Sequence, residues 1–214
     1  MLTKNKAWAR RDTVIDAYRR YTGLRAIPDH RHYVTLAGLQ AFDNDHDELS
    51  THSEYAQVTS AGLVPLPKRQ YIGFDTNADF IAINRRVAPQ ATWLCEDIYD
   101  GLVRLCADGK VNPSIVFYDS MRLPHIGAIE ASKLLVFLSK FQSVLFVANF
   151  IIHRQFMPAP LSNEEVFCAF TRLPSYALAI RRGWTTDRRV YRYKGSHASM
   201  ATVVFWFDKP SCQC

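Results

Sequence analysis

The sequence predicts a three-layer α/β fold in which helices cover both faces of a mainly parallel, seven-stranded sheet. Three short apolar runs each end at a carboxylate, namely Gln70–Asp75, Ala91–Asp97 and Pro113–Asp119. Their hydrophobicity is unbroken rather than alternating, which is typical of strands that are buried on both faces. Two further β-rich runs near the end of the chain are joined only by residues 195–200, too few for a parallel crossover. The sheet is therefore expected to end in an antiparallel hairpin.

The first third of the chain supplies the opening elements. A partial apolar stripe predicts a helix over residues Thr3 to Thr22, and Gly23 is a suitable stop. The β-rich run from His32 to Leu36 predicts the first strand, and Gly38 follows it. Glycine adopts positive φ and allows a ligand to approach the backbone closely, so this turn is a candidate binding element. A short helix is expected from Ser53 to Gly62.

The middle of the chain alternates helices with the strands named above. Helical spacing of apolar residues predicts helices over Asn77–Arg86, Ile98–Cys106 and Ile126–Phe141, and a further buried strand over Val144–Ile151. Strand, helix and strand in this order form right-handed crossovers, which bring the carboxyl ends of the strands to one edge of the sheet. Ligands of open α/β sheets bind along that edge.

Three aspartates mark the expected edge: Asp75, Asp97 and Asp119 each end a predicted strand. Two interpretations are open for them. They cap the helices that follow, as aspartates at such positions commonly do, or they converge on one cleft and bind a ligand. Three such residues on consecutive strands, together with the terminal hairpin, favour the ligand.

The last third of the chain changes character. Ser162 predicts the N-cap of a helix over Asn163–Arg182, and Pro174 is expected to break that helix in two. The β-rich runs Arg189–Lys194 and Ala201–Asp208 form the predicted hairpin.

Length and composition indicate one globular domain of ordinary size. The chain has 214 residues, of which 48% are hydrophobic and 13% aromatic, and this composition argues against extensive disorder. We expect an N-terminal basic helical arm over residues 1–28, a main domain over 29–210 and a tail over 211–214. No apolar run approaches the roughly 18 residues of a membrane span, and the basic start lacks the apolar region of a signal peptide. A cytoplasmic protein is therefore expected.

The charge is positive and clustered. The net charge is +6, and arginines are concentrated near both ends of the chain. Such clusters indicate a polyanionic partner, although a solvated basic face is the other common explanation. We predict nucleic acid, DNA or RNA, as the partner. The residues expected to contact it are Arg10, Arg11, Arg188 and Arg189.

Metal-binding patterns are weak. The five cysteines are odd in number and scattered, which fits neither a disulfide framework nor a four-ligand zinc site. The acidic loop Asp43–Glu48 lacks the glycine and glutamate of an EF-hand. No bound metal is expected.

The order of strands and helices from roughly Tyr33 to Asp208 resembles the class I S-adenosylmethionine-dependent methyltransferase fold, which is Rossmann-like. In that family the loop after the first strand meets the methionine part of the cofactor, and Gly38 holds that position here. The acid that ends the second strand binds both ribose hydroxyls, and Gly73-Phe-Asp75 matches that pattern. An acid after the third strand meets the adenine amino group, and Glu96-Asp97 is in that place.

The same resemblance implies a place for the chemistry. The end of the fourth strand faces the methyl acceptor in this family, and the corresponding residues are Tyr118 and Asp119. Glu54 is a further candidate that reaches the cofactor cleft from the loop side. Independently of the family, carboxylates at successive strand ends suit an adenosine ligand, since one accepts from a cis-diol and another from an exocyclic amine.

The sequence also departs from the family pattern. Its glycine-rich run is reduced to Gly38 alone, and Asp75 follows 37 residues later, where about 20 is typical of nucleotide-binding βαβ units. The Asn/Asp-Pro-Pro-Tyr/Phe motif of amino-group DNA methyltransferases is missing after the fourth strand. These departures fit a diverged methyltransferase of phage or mobile-element type, or a relative that keeps the fold without the activity.

Two alternatives remain. Ile72-Gly-Phe-Asp75 also resembles the opening strand of RNase H-like nucleases, in which several carboxylates hold two magnesium ions; that fold, however, opens with an antiparallel meander. The other alternative is a non-catalytic module that binds nucleic acid or a host protein through its basic faces.

Overall fold

The computed structural model describes residues 11–41, 46–65, 70–120, 122–153, 161–182, 189–194 and 199–208. Its strands are β1 (His32–Leu36), β2 (Tyr71–Asp75), β3 (Thr92–Cys95), β4 (Pro113–Asp119), β5 (Val144–His153), β6 (Arg189–Lys194) and β7 (Ser199–Phe207). Its α-helices are α1 (Asp16–Thr22), α2 (Glu54–Ser60), α3 (Ala78–Val87), α4 (Ile98–Ala107), α5 (Pro124–Leu138), α6 (Asn163–Thr171) and α7 (Pro174–Arg181). A π-helical turn, Arg11–Ile15, precedes α1. Within the described ranges, no helix combines the length and apolar character needed to cross a membrane.

The strands form one mixed sheet in the order β3-β2-β1-β4-β5-β7-β6. β1 pairs in parallel with β2 and β4, and β2 pairs in parallel with β3. β7 pairs antiparallel with both β5 and β6. The predicted α/β fold with a terminal antiparallel hairpin is confirmed. The chain divides into two compact units, here called the first unit (through Phe117) and the second unit (from Tyr118).

Several predicted element boundaries are confirmed by local geometry. Gly23 ends α1 with φ 68°, in the left-handed region that favours glycine. Ser53 caps α2 by accepting from the backbone N–H of Ala56. The long helix predicted after Ser162 ends at Thr171 and resumes at Pro174 as a separate helix. Residues 1–10 of the predicted basic arm lie outside the described residues, and the domain boundaries remain predictions.

The first unit is built around an aromatic cluster on one face of β1, β2 and β3. The rings of Tyr33 and Tyr71 stack with centroids 5.2 Å apart, and Tyr55 and Trp93 pack edge-on or tilted against Tyr71. The Trp93 ring also explains Gly73, since a Cβ at that position would lie only 2.3 Å from the ring. Trp93 is therefore a core residue, too buried to serve as a base-stacking platform.

The second unit has its own core between the β5–β7 pair and the helices. Phe205 contacts Phe146, Phe170 and Phe207, with the Phe170 ring centroid 5.0 Å away. All four rings are fully buried. Near-continuous apolar residues on β5 and β7 are thus accounted for by burial, which is the main favourable contribution to folding.

Candidate functional site

Parallel register aligns the ends of the first three strands in the first unit. Leu36 pairs with Phe74, and Asp75 pairs with Cys95. The residues that follow β1, end β2 and follow β3 therefore lie along one edge. We call this group, Gly38, Asp75, Glu96 and Asp97, the strand-end edge. The sequence prediction that these positions share an edge is consistent with this register.

The turn after β1, residues 37–39, has an open outer side. Gly38 has φ +60°, and a Cβ built on it would meet no described atom within 4 Å, its chain neighbours aside. Positive φ, rather than lack of space, is therefore the reason for glycine at this position. Among the described residues, no hydrogen-bond acceptor contacts the backbone N–H of Gly38 or Leu39. The turn thus presents two adjacent backbone donors that no described residue uses.

The inner side of the same turn is held by two buried amide side chains, Gln40 and Asn84, which sequence reasoning missed. Asn84 donates to the Gly38 carbonyl at 2.8 Å, and Gln40 donates to the Ala37 carbonyl at 2.6 Å. The position of Asn84 in its helix was the available signal. It falls three residues after the buried Ile81 on the apolar face of α3, where a polar residue requires a partner.

Asp75 ends β2 and does not cap the following helix. Its Oδ1 accepts the backbone N–H of Asn77 at 2.8 Å, and it is Asn77 that caps α3. The Oδ2 atom of Asp75 makes no hydrogen bond to any described residue. The capping interpretation therefore does not hold for Asp75, which keeps one carboxylate oxygen that no described residue uses.

The acids after β3 are more heavily engaged. Asp97 caps α4, because its Oδ1 accepts from the backbone N–H groups of Tyr99 at 2.8 Å and Asp100 at 3.3 Å. Glu96 forms an ion pair with Arg104. The capping interpretation thus describes Asp97, although within the described part of the chain its Oδ2 has no partner.

Glu54 lies in the core and not at the strand-end edge. Only 1% of its surface is exposed. Its Oε1 accepts from the Tyr33 hydroxyl at 2.6 Å and its Oε2 from the Thr35 hydroxyl at 3.1 Å. A buried carboxylate needs such donors, because an unpaired buried charge is costly. Glu54 ties α2 to β1 from within the core.

In the second unit, Tyr118 is held as a neutral hydrogen-bond donor. Its hydroxyl donates to Glu130 Oε2 at 2.9 Å, and Arg122 pairs with the other oxygen of Glu130. Burial first, and then the hydrogen bond and negative charge of Glu130, raise the pKa of the Tyr118 hydroxyl well above its usual range. The group stays protonated at neutral pH, so it is poorly suited to act as a general base.

Asp119 ends β4 and is braced from the same unit. Its Oδ1 accepts from Asn149 Nδ2 at 2.7 Å, and Asn149 Oδ1 accepts in turn from the Thr202 hydroxyl at 3.0 Å. Asn149 and Thr202 are cross-strand partners in the β5–β7 pair, and both are buried. This polar chain within an otherwise apolar strand pair fixes the orientation of the Asp119 carboxylate.

The predicted nucleic-acid residues are only partly described. Arg10 and Arg188 lie outside the described residues, and of Arg11 only the backbone is described. Arg189 is exposed at the start of β6, an edge strand of the sheet. Two other arginines have structural roles instead, since Arg19 donates to the Ala61 carbonyl and Arg31 to the Pro113 carbonyl.

A groove of about 540 Å³ in the second unit lies between the start of α5 and α6. Its lining includes Pro124, Ile129, Glu164, Cys168 and Arg172, and none of the predicted site residues. Across the described ranges, no three His, Cys, Asp or Glu side chains are placed to hold a metal ion. The parallel pairing of β1, β2 and β3 also differs from the antiparallel meander that opens the RNase H-like fold.

Comparisons with known proteins give a clear result for the fold only. No protein-family profile and no curated protein matches the sequence. Among solved structures, a 16S rRNA adenine N1-methyltransferase from Catenulisporales acidiphilia matches with a TM-score of 0.50 and 13% identity, over 94% of each chain. The N-methyltransferase NodS from Bradyrhizobium japonicum matches with a TM-score of 0.50 and 10% identity, over 97% of this chain and 100% of NodS.

A third solved structure, a proposed tRNA methyltransferase from Streptococcus pneumoniae, matches with a TM-score of 0.51 and 8% identity, over 100% of this chain and 74% of that protein. These likenesses agree with the strand order and with the antiparallel pairing of the last strands. The chain has the Rossmann-like fold of the class I S-adenosylmethionine-dependent methyltransferases.

Proposed function

We propose that the strand-end edge of the first unit binds S-adenosylmethionine and that the chain is a methyltransferase-like protein that acts on or binds nucleic acid. The observation that carries this proposal is Asp75, a strand-end carboxylate that does not cap a helix and keeps Oδ2 without a described partner. It lies one strand away from the open turn at Gly38.

The chemistry of the edge suits the cofactor. A carboxylate oxygen accepts hydrogen bonds from ribose hydroxyls, which is the role proposed for Asp75. Asp97 Oδ2 is the proposed acceptor for the adenine amino group, and Glu54 supports β1 from beneath without touching the ligand. When bound, S-adenosylmethionine supplies an electrophilic methyl group. The donors of the Gly38 turn suit the carboxylate of its amino-acid part.

Asp119 is the proposed residue for the methyl acceptor. Methyl transfer is a direct displacement that depends mainly on proximity and alignment, with at most one base. Asp119 is half-buried and oriented by Asn149, whereas Tyr118 is committed to Glu130. Asp119 would accept a hydrogen bond, or a proton, from the attacking group, and Tyr118 would hold Glu130 in place.

Nucleic acid is the proposed partner because the net charge is +6 and arginines cluster near both ends of the chain. Two of the structural neighbours are described as rRNA and tRNA methyltransferases, which supports this proposal at the level of fold only. The reduction of the glycine run to Gly38 favours a second candidate, a binding module without catalysis. Binding of the cofactor without methyl transfer to DNA or RNA would select that candidate.

The proposal is tested by calorimetry on the full chain after exhaustive dialysis to remove any ligand bound during purification. S-adenosylmethionine and S-adenosylhomocysteine are titrated separately, with ATP as an adenine nucleotide control. We expect both cofactor forms to bind and ATP to bind far more weakly. No heat with either cofactor form would overturn the proposal, and tight binding of Mg²⁺ or Mn²⁺ in the same preparation would support the nuclease alternative.

A further inference from the structure

The Gly38 turn is fixed by an amide clamp, defined here as the side chains of Gln40 and Asn84. Both side chains are buried, with 1% and 0% of their surface exposed. Asn84 Nδ2 donates to the Gly38 carbonyl, while Asn84 Oδ1 accepts the backbone N–H of Gln40 at 2.9 Å. Gln40 Nε2 donates to the Ala37 carbonyl at 2.6 Å and, at 3.4 Å, to the Gly38 carbonyl.

The clamp also joins the turn to two helices. Asn84 belongs to α3, and Gln40 Oε1 accepts the backbone N–H of Tyr55 in α2 at 3.0 Å. The side chains of Gln40 and Asn84 are themselves buried, so removing one of them leaves buried polar partners unsatisfied. The turn after β1 is therefore held by side chains, at the position where the methyltransferase family that this chain resembles has a run of glycines.

The clamp has a consequence for the opposite side of the turn. In a trans peptide unit the C=O and the N–H point in opposite directions. The clamped carbonyls of Ala37 and Gly38 share their peptide units with the N–H groups of Gly38 and Leu39. Those are the two N–H groups that lack an acceptor among the described residues. Pulling the carbonyls inward thus turns the two donors away from the clamp.

Successive backbone N–H groups in a turn can form a small anion-binding site. We infer that Gln40 and Asn84 are positioning residues that aim the N–H groups of Gly38 and Leu39 at the carboxylate of the cofactor's amino-acid part. This inference rests on the proposed function. It assigns the clamp an effect on one end of the ligand only, because the adenosine end is held by Asp75.

That asymmetry gives the test. S-adenosylhomocysteine carries the carboxylate, whereas 5′-methylthioadenosine has the same adenosine and sulfur but no amino-acid part. Calorimetry on the wild-type full chain and on Asn84→Leu compares the dissociation constants of the two ligands. We expect Asn84→Leu to weaken S-adenosylhomocysteine by on the order of tenfold or more, the scale of hydrogen bonds to a charged group, and to leave 5′-methylthioadenosine unchanged.

A second variant probes the donor role of Asn84 directly. Asn84→Asp keeps the acceptor for the Gln40 N–H, but an ionised carboxylate cannot donate to the Gly38 carbonyl. Burial raises the pKa of a carboxyl group, and the protonated form regains a donor. The affinity of Asn84→Asp for S-adenosylhomocysteine, relative to wild type, should therefore recover as the pH falls from 8 to 5. A relative affinity that does not change with pH would contradict the donor role.

The matched control is Ile81→Ala, which opens a cavity one turn earlier on the same helix and removes no hydrogen bond of the clamp. We expect it to lower stability without changing the ratio of the two dissociation constants. If Asn84→Leu leaves that ratio unchanged while the wild-type chain binds S-adenosylhomocysteine, the clamp inference is wrong and the proposed function stands. If the wild-type chain binds neither ligand, the proposed function fails, and the inference fails with it.

Discussion

At the scale of single residues, two aspartates that were both predicted to end strands have different positions and roles: Asp75 ends β2, whereas Asp97 lies two residues beyond the end of β3. Asp97 is followed directly by the first residue of α4 and caps that helix. After Asp75, Thr76 and Asn77 intervene, and Asn77 takes the capping role. The sequence predicts an acidic residue at both strand ends. The residue at which the following helix begins decides whether that acid caps the helix. That start depends on tertiary packing and cannot be read from the pattern alone.

The first prediction concerns Asp75. Asp75→Asn should weaken S-adenosylhomocysteine binding by about 1.5–3 kcal/mol, because an amide oxygen is a weaker acceptor than a carboxylate for the ribose hydroxyls. Calorimetry measures the change. Asp79→Asn is the control, since Asp79 is an exposed carboxylate in the first turn of the adjoining helix and its loss changes the net charge equally. If the two variants bound S-adenosylhomocysteine with equal affinity, Asp75 would not be part of the binding site.

At the scale of elements, the strands and helices were largely predictable, whereas the contacts between them were not. Unbroken apolar runs identified β2 and β4, and the broken helix after Ser162 followed from Pro174. Glu54 was predicted to reach the cofactor cleft, but it is a core residue paired with Tyr33 and Thr35. Its partners lie 21 and 19 residues away in the chain, and no local pattern specifies such a contact.

The second prediction concerns the start of α6. Ser162 and Glu165 form a capping box, in which each side chain accepts the backbone N–H of the other residue. Ser162→Ala should lower the free energy of unfolding by about 1 kcal/mol, the usual cost of losing an N-cap. Urea unfolding followed by circular dichroism measures the loss. A cost indistinguishable from that of the exposed Glu164→Gln change would show that the box does not stabilise the helix.

The third prediction is the pH dependence of the same box. The hydrogen bonds from Ser162 lower the pKa of Glu165. A carboxyl group whose pKa is lower in the folded state stabilises the protein above its unfolded pKa and loses that contribution as the pH falls through the folded pKa. Glu165→Ala should therefore destabilise the chain at pH 7 and have a fading effect in acid. Glu164→Ala serves as control, and a Glu165→Ala effect that is constant from pH 7 to pH 3 would refute the assignment.

At the scale of the whole molecule, the sequence was sufficient for the fold class. Its two informative features were physical constraints rather than motifs: strands buried on both faces, and a connection too short for a crossover. The polar networks around Asn84 and Asn149 were not predicted, because each joins residues from different elements. The domain boundaries and the contact with nucleic acid remain predictions.

The fourth prediction concerns the partner. If the arginine clusters contact phosphates, affinity for duplex DNA should fall with salt, with a log-log slope of about −0.9 for each neutralised phosphate. Charge reversal at Arg188 and Arg189, or at Arg10 and Arg11, should flatten that slope in fluorescence anisotropy titrations. Lys110→Glu is the control, since Lys110 pairs locally with Asp108. A chain that binds neither DNA nor RNA at low salt would show that the basic surface is only solvated.

We propose that the cofactor lies against the strand-end edge of the first unit, and one cysteine of that unit is a natural probe of this edge. Cys95 is exposed and pairs in register with Asp75. Cys106 and Cys168 are less exposed, and burial raises the pKa of the Cys106 thiol to about 11, which keeps it unreactive. Mass spectrometry of the digested protein after timed alkylation reports the labelling of Cys95 and of Cys168 separately.

The most direct measurement is the alkylation rate of Cys95 with and without S-adenosylhomocysteine. At a ligand concentration about 100 times the dissociation constant, only about 1% of the sites are empty. A ligand that covers this edge should therefore slow labelling of Cys95 strongly and leave Cys168 unchanged. If Cys95 were labelled at the same rate with and without saturating ligand, the ligand would not cover this edge and the proposed cofactor site would be wrong.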